Sequence, residues 1–253
     1  MCGTRVVRNG LSLKILLTEA GAKGSKILVT TRSRKVAKVM GVVEAYDLGE
    51  LSEDDCWSLF KQRAFNQQGE KEEKPELVKI GKQIVSKCRG VALAAITLGG
   101  LLLDASEETW LEIRDSQLWE LDSKHISEPE AKENFILNTL RLSYFHLPAV
   151  LKPCFAYCSL FPKDHVIDKE TLIQLWMAQG FIIQSPQWIH KSMEGMGEEN
   201  FRYLLGRCLF QDEQKDEEGN IISCKMHDLV HDLAQSVAGA LVSVASLITM
   251  TKN

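Results

Sequence analysis

The chain has 253 residues, enough for more than one core of roughly 100 to 150 residues. Its hydrophobic share of 45% and charged share of 25% are ordinary for a soluble globular protein, and a net charge of −4 gives no bulk reason to expect nucleic acid or an anionic membrane as partner. Seven cysteines, odd in number and scattered, read as reduced core thiols of a cytoplasmic protein.

In chain order, the first apolar run, Leu11 to Leu17, is broken by Ser12 and Lys14 and lacks the small-residue cleavage site of a secretory signal. Ile27-Leu28-Val29-Thr30-Thr31, bounded by Gly24-Ser25 and by Arg32-Ser33, predicts a strand buried on both faces, as in a parallel sheet. Ser33 can cap a short helix carrying Val36, Ala37 and Met40, and Val42 to Leu48 can return as a second strand, an α/β pattern. From Leu51 the pattern is helical. Ser52 and Asp55 form a capping box before Cys56, Leu59, Phe60 and Ala64. Pro75 opens a helix with Leu77, Ile80, Ile84, Val85 and Cys88 inward, ending at Gly90. Val91 to Leu103 is apolar all round and predicts a buried helix, and Ser106 starts another that carries Trp110, Leu111 and Ile113. The polar segment Asp122 to Glu133 reads as a linker.

Beyond it, Leu147-Pro148 opens a helix, Asp168 caps Lys169 to Gln179 before Gly180, and Met193 to Leu205 is helical with Phe201, Leu204 and Leu205 inward. Cys208 to Gln211 and Ile221 to Lys225 read as short strands around a charged tip ending in Gly219-Asn220. Helices followed by a hairpin are the order of a winged helix. Val237 to Met250 is an apolar tail of about 14 residues, short of the roughly 20 that a membrane span needs, and reads as a packed or frayed terminus without stable membrane insertion.

Three constellations carry chemistry. His227-Asp228 and His231, one helical turn apart, could share a metal, but a zinc protease motif needs a glutamate and a third ligand, and neither is present, so no metal site is expected. A DNA-binding winged helix needs a basic surface, whereas residues 192–228 hold nine acids against four Lys and Arg, with Asp212, Glu213, Asp216, Glu217 and Glu218 in the wing itself. Arg32, just past a predicted buried strand, could meet a terminal phosphate, or be an ordinary surface arginine.

Gly24–Arg32, Leu51–Phe65, Gly90–Leu103, Cys154–Phe181 and Met226–Ala234, in that order, resemble the NB-ARC module of plant nucleotide-binding leucine-rich-repeat disease resistance proteins. The tracts Cys154-Phe155-Ala156-Tyr157-Cys158-Ser159-Leu160-Phe161-Pro162 and Trp176-Met177-Ala178-Gln179-Gly180-Phe181 resemble the coiled-coil subgroup. The resemblance implies the C-terminal part of a nucleotide-binding domain over 1–50, a helical domain over 51–125 and a winged-helix domain over 135–239, followed by the tail at 240–253. It describes an α/β remnant of a P-loop-type domain on a mainly α chain.

By the same resemblance, Thr31 and Arg32 are nucleotide-binding residues, with Arg32 at the terminal phosphate, and Gly90, Ala92 and Leu93 belong to the segment that packs on adenine. His227 would contact a phosphate of ADP, with Met226, His227 and Asp228 as the latch of an ADP/ATP switch. The implied role is a regulatory switch in plant innate immunity, not an enzyme. Its implied partners are intramolecular nucleotide-binding and leucine-rich-repeat domains and a homo-oligomer on activation, with no nucleic acid. The chain departs from the pattern at Ala92, where proline is usual, and it has no Gly-x-x-x-x-Gly-Lys-Ser/Thr; Gly21-Ala22-Lys23-Gly24-Ser25-Lys26 has the wrong order. It therefore reads as a truncated receptor segment with weak nucleotide affinity. The alternatives are a DNA-binding winged-helix regulator, a zinc hydrolase and an inactive truncated product.

Overall fold

A computed structural model describes residues 22, 24–31, 34–41, 44–65, 74–119, 128–182 and 192–250, and of 118, 128–133 and 240–250 the backbone alone. The chain divides into two compact units, Met1–Gly49 and Glu50–Asn253. In the first, the expected strand over Ile27–Thr31 is not formed. These residues pair with no strand among the described residues, and Leu28 is 94% exposed. An apolar β-branched run becomes a strand only by hydrogen-bonding neighbours. Residues 45–48 are likewise not a strand. The short helix α1, Arg34–Val39, is present, and Arg34 pairs with Asp47 at 2.7 Å on the surface.

The second unit is mainly helical. Helix α2 (Glu53–Ala64) starts at Ser52, whose Oγ accepts the Asp55 N–H at 3.1 Å as the expected N-cap, while the Asp55 carboxylate accepts the Ser52 hydroxyl at 2.6 Å. Helix α3 (Pro75–Lys87) begins on its proline and buries Ile80, Ile84 and Val85. Helix α4 (Ala92–Leu102) is apolar on nearly every side and packs against both α2 and the later helix Glu128–Phe145. Helix α5 (Glu107–Arg114), capped by Ser106, supplies Trp110, which meets Phe60 edge-on at 5.7 Å. These side chains form the first core of this unit.

Helix α6 (Glu128–Phe145) begins inside the segment expected to be a linker. Glu, Ala and Lys over 128–133 are good helix formers, and Pro129 at the first turn does not oppose them. Its faces divide. Phe135 and Leu142 enter the first core, whereas Leu140, Tyr144 and Leu147 just beyond it enter a second.

Around that second core lie α7 (Leu151–Tyr157), β1 (Ile167–Asp168), α8 (Lys169–Ala178), α9 (Met193–Gly206), β2 (Gln211–Lys215), β3 (Ile221–Lys225) and α10 (Asp228–Met250). The strands form one antiparallel sheet in the order β1-β3-β2, with Ile167 opposite Cys224 and Gln211 opposite Lys225. The two-residue β1 has no sequence signal of its own. The wing's first strand starts three residues later than expected. Cys208 turns the chain in a left-handed conformation (φ 56°), and Leu209 and Phe210 go into the core instead of the sheet.

Asp168 caps α8 through the Thr171 N–H at 2.8 Å, and the Thr171 hydroxyl and amide hold its carboxyl below the usual range. That cap is present above the ordinary carboxylate pKa and is lost as pH falls through the lowered one. Burial pushes the thiols of Cys88, Cys154 and Cys224 up to about 12, so these cysteines are inert packing groups. The expected tail is not separate, because α10 continues to Met250. Among the described residues no helix is long and apolar enough to cross a membrane.

Candidate functional site

The site residues fall on both units. Thr31 is exposed in the first, and Arg32 lies outside the described residues. Gly90, Ala92 and Leu93 are brought together where α3 ends and α4 begins. Gly90 adopts φ 74°, and a Cβ there would lie 2.5 Å from Glu50 Cβ and 2.8 Å from the Leu51 carbonyl oxygen. The backbones are held at that distance by the Leu51 N–H donating to the Gly90 carbonyl at 3.0 Å. Ala92 is the first residue of α4, and Leu93, half-buried, packs against both cores of the unit.

Ala92 occupies a position that proline fits. The preceding Val91 is extended (φ −86°, ψ 106°), as a residue before proline must be, and the first N–H of a helix has no intrahelical acceptor. Ala92→Pro is expected to stabilise the chain by about 0.4–1 kcal/mol, read as a raised urea midpoint at unchanged slope.

Met226, His227 and Asp228 sit where β3 passes into α10. Met226 is buried in the second core, while His227 and Asp228 are half-buried. His227 precedes the first residue of α10, and its Nδ1 accepts the Leu229 N–H at 3.1 Å. An amide can only donate, so Nδ1 is the acceptor in this contact. The imidazole therefore caps the helix, at an end where the summed dipole of the amides favours an anion. Leu229, Val230 and Leu233 anchor the helix by burial.

His231 does different work. Its Nε2 donates to the Phe161 carbonyl at 2.9 Å, and one residue further on Asp232 pairs with Lys163 at 2.6 Å. These two contacts tie α10 to the Leu160–Lys163 tract. A second tie joins the motif tracts. Trp176 Nε1 donates to the Cys154 carbonyl at 3.0 Å, within the last turn of α7. Sequence spacing did not show these pairings, because each joins residues from distant parts of the chain.

Comparison with known proteins bears on the same segments. Residues 160–234 match the family model of the disease resistance protein winged helix domain, and residues 9–70 match that of the NB-ARC domain. Over 93% of the chain, 45% of residues are identical to disease resistance protein RGA2 of Solanum bulbocastanum, and 47% to the putative disease resistance protein RGA4 of the same species. Over 88% of the chain, 42% are identical to the putative disease resistance RPP13-like protein 1 of Arabidopsis thaliana. The chain belongs to the plant NB-ARC disease resistance proteins. It spans 23%, 22% and 19% of the length of these three relatives, so the activity of a whole receptor does not transfer to it directly.

Proposed function

We propose that this chain is the switch segment of a plant defence receptor, in which ADP favours a closed arrangement and exchange for ATP releases it. The observation that carries the reading is the capping of α10 by His227. Its Nδ1 accepts the Leu229 N–H, which sets the imidazole at the N-terminus of α10, where the helix amides favour a phosphate. Thr31 and Arg32 would meet the terminal phosphate, Gly90, Ala92 and Leu93 the adenine, and Met226 and Asp228 would seat the latch. Domains at 1–50, 51–125 and 135–239 carry these parts. The sequence holds no Gly-x-x-x-x-Gly-Lys-Ser/Thr to cradle phosphates, so nucleotide affinity in this chain is weak and no ATP hydrolysis occurs in it. In a complete receptor the partners are its own nucleotide-binding and leucine-rich-repeat domains, with homo-oligomerisation on activation, in the cytoplasm. The acidic wing disfavours a DNA-binding role.

Asp228→Val tests the latch. In the chain alone it should shift stability by no more than about 0.5 kcal/mol, because burial of Leu229, Val230 and Leu233 holds α10. Placed in a complete receptor it should cause cell death without a pathogen ligand, since a loss of about 1.4 kcal/mol from the closed state changes the population ratio tenfold. A receptor variant that accumulates normally yet stays silent would overturn the assignment.

A further inference from the structure

Helix α4 has Gly90–Leu93 at its start and Leu101 about three turns away at its end. Its last carbonyls have no intrahelical partner, and its own last turn contains no basic residue. The cation that meets them comes from the winged helix. Arg207, which ends α9, donates from Nη1 to the Leu101 carbonyl. The same guanidinium donates from Nη2 to the Tyr203 hydroxyl at 2.6 Å and lies 4.9 Å from the centre of that ring, which fixes its direction.

The approach that allows this bond depends on Gly100. A Cβ there would lie 2.8 Å from Cys208 Sγ, 2.9 Å from the Arg207 carbonyl carbon and 2.9 Å from the Gly206 oxygen. Elsewhere Leu93 and Ile136 pack against both cores, and small hydroxyl residues lie on the same helices. Thr139 and Ser143 lie between the two apolar faces of α6, and Thr97 lies on α4 between Leu93 and Leu101. All three are buried. Thr139 bonds back to the Phe135 carbonyl of its own helix, and the hydroxyls of Thr97 and Ser143 have no hydrogen-bond partner among the described residues. The hydroxyls add little across the seam beyond the apolar contacts of Leu93 and Ile136, and a charge-assisted bond to a helix end is a directional polar contact across it.

We propose that Arg207 is a positioning residue that clamps the winged-helix core to the end of α4, so that the turn at Gly90–Leu93 and the capped His227 move as one body. The consequence for signalling rests on the switch reading above, but the clamp itself is tested without nucleotide. Scanning calorimetry of the whole 253-residue chain should show the two cores of residues 50–253 melting together. Arg207→Ala should split that event into two transitions, with amide exchange in the last turn of α4 roughly tenfold faster. Arg207→Lys, which keeps the charge but not the fork, should restore the coupling only in part.

Gly100→Ala provides a second route that leaves Arg207 in place. The added methyl should wedge the seam and split the transitions, while the helical core's own transition rises because alanine favours a helix over glycine. One lowered transition in both Arg207→Ala and Gly100→Ala would mean ordinary structural damage and would overturn the clamp. That failure would leave the His227 latch intact, because the latch stands or falls on Asp228→Val in a complete receptor.

Discussion

Trp176→Ala is expected to cost about 3–5 kcal/mol, enough to unfold much of the winged-helix core at 37 °C. Trp176 is 0% exposed and lies among Cys154, Phe155, Leu172 and Phe201, which are equally buried. Deleting its ring leaves a cavity that the surrounding helices can close only in part. It also removes the indole N–H from the Cys154 carbonyl in the last turn of α7, leaving that oxygen only the weaker Cys158 thiol donor at 3.3 Å. Trp176→Phe separates the two effects, because most of the apolar volume stays and mainly the hydrogen bond goes, with a loss of about 1–2 kcal/mol. Urea unfolding followed by far-ultraviolet circular dichroism reads both variants. An alanine variant within about 1 kcal/mol of the parent would show that this core tolerates the cavity and that the bond to Cys154 is incidental.

The same residue shows what the sequence could and could not disclose. The tracts around Cys154 and Trp176 are recognisable one by one, yet nothing in their spacing says that the indole of one closes the carbonyl of the other. Local signals were readable where the chemistry is local. Ser52, Ser106, Asp168 and Ser192 each accept an amide three residues on, as caps do. The apolar run over Val91–Leu103 became a helix buried on nearly all sides.

Signals failed where a partner decides the outcome. Ile27–Thr31 has the composition of a strand but pairs with none among the described residues. Leu209 and Phe210 looked like the start of a strand, but the left-handed turn at Cys208 sends them into the core. The sequence marked His227, but the Leu229 amide that its Nδ1 accepts appears only once α10 is built behind it. Arg207 carried no motif. Its role comes from the carbonyl end of a helix more than 100 positions earlier in the chain.

Gly90→Ala is the second substitution with a large expected effect, at about 2–5 kcal/mol. Two costs combine. A left-handed backbone opposes any Cβ by about 1–2 kcal/mol, and Gly90 has φ 74°. The added methyl would also stand 2.5 Å from Glu50 Cβ and 2.8 Å from the Leu51 carbonyl oxygen, and the overpacking adds about 1–3 kcal/mol. The strand of chain that must yield is tied back by the Leu51 N–H to the Gly90 carbonyl, so relief requires breaking that bond and moving the start of α2 away from the start of α4. Gly219 supplies the control. It has φ 87° at the wing tip, but a Cβ there meets nothing within 4 Å, so Gly219→Ala should show the backbone cost alone. The difference between the two urea midpoints, at equal slopes, isolates the close approach. Equal losses would mean that the contact at Gly90 relaxes freely and that this turn is not the rigid platform its place at the start of α4 requires.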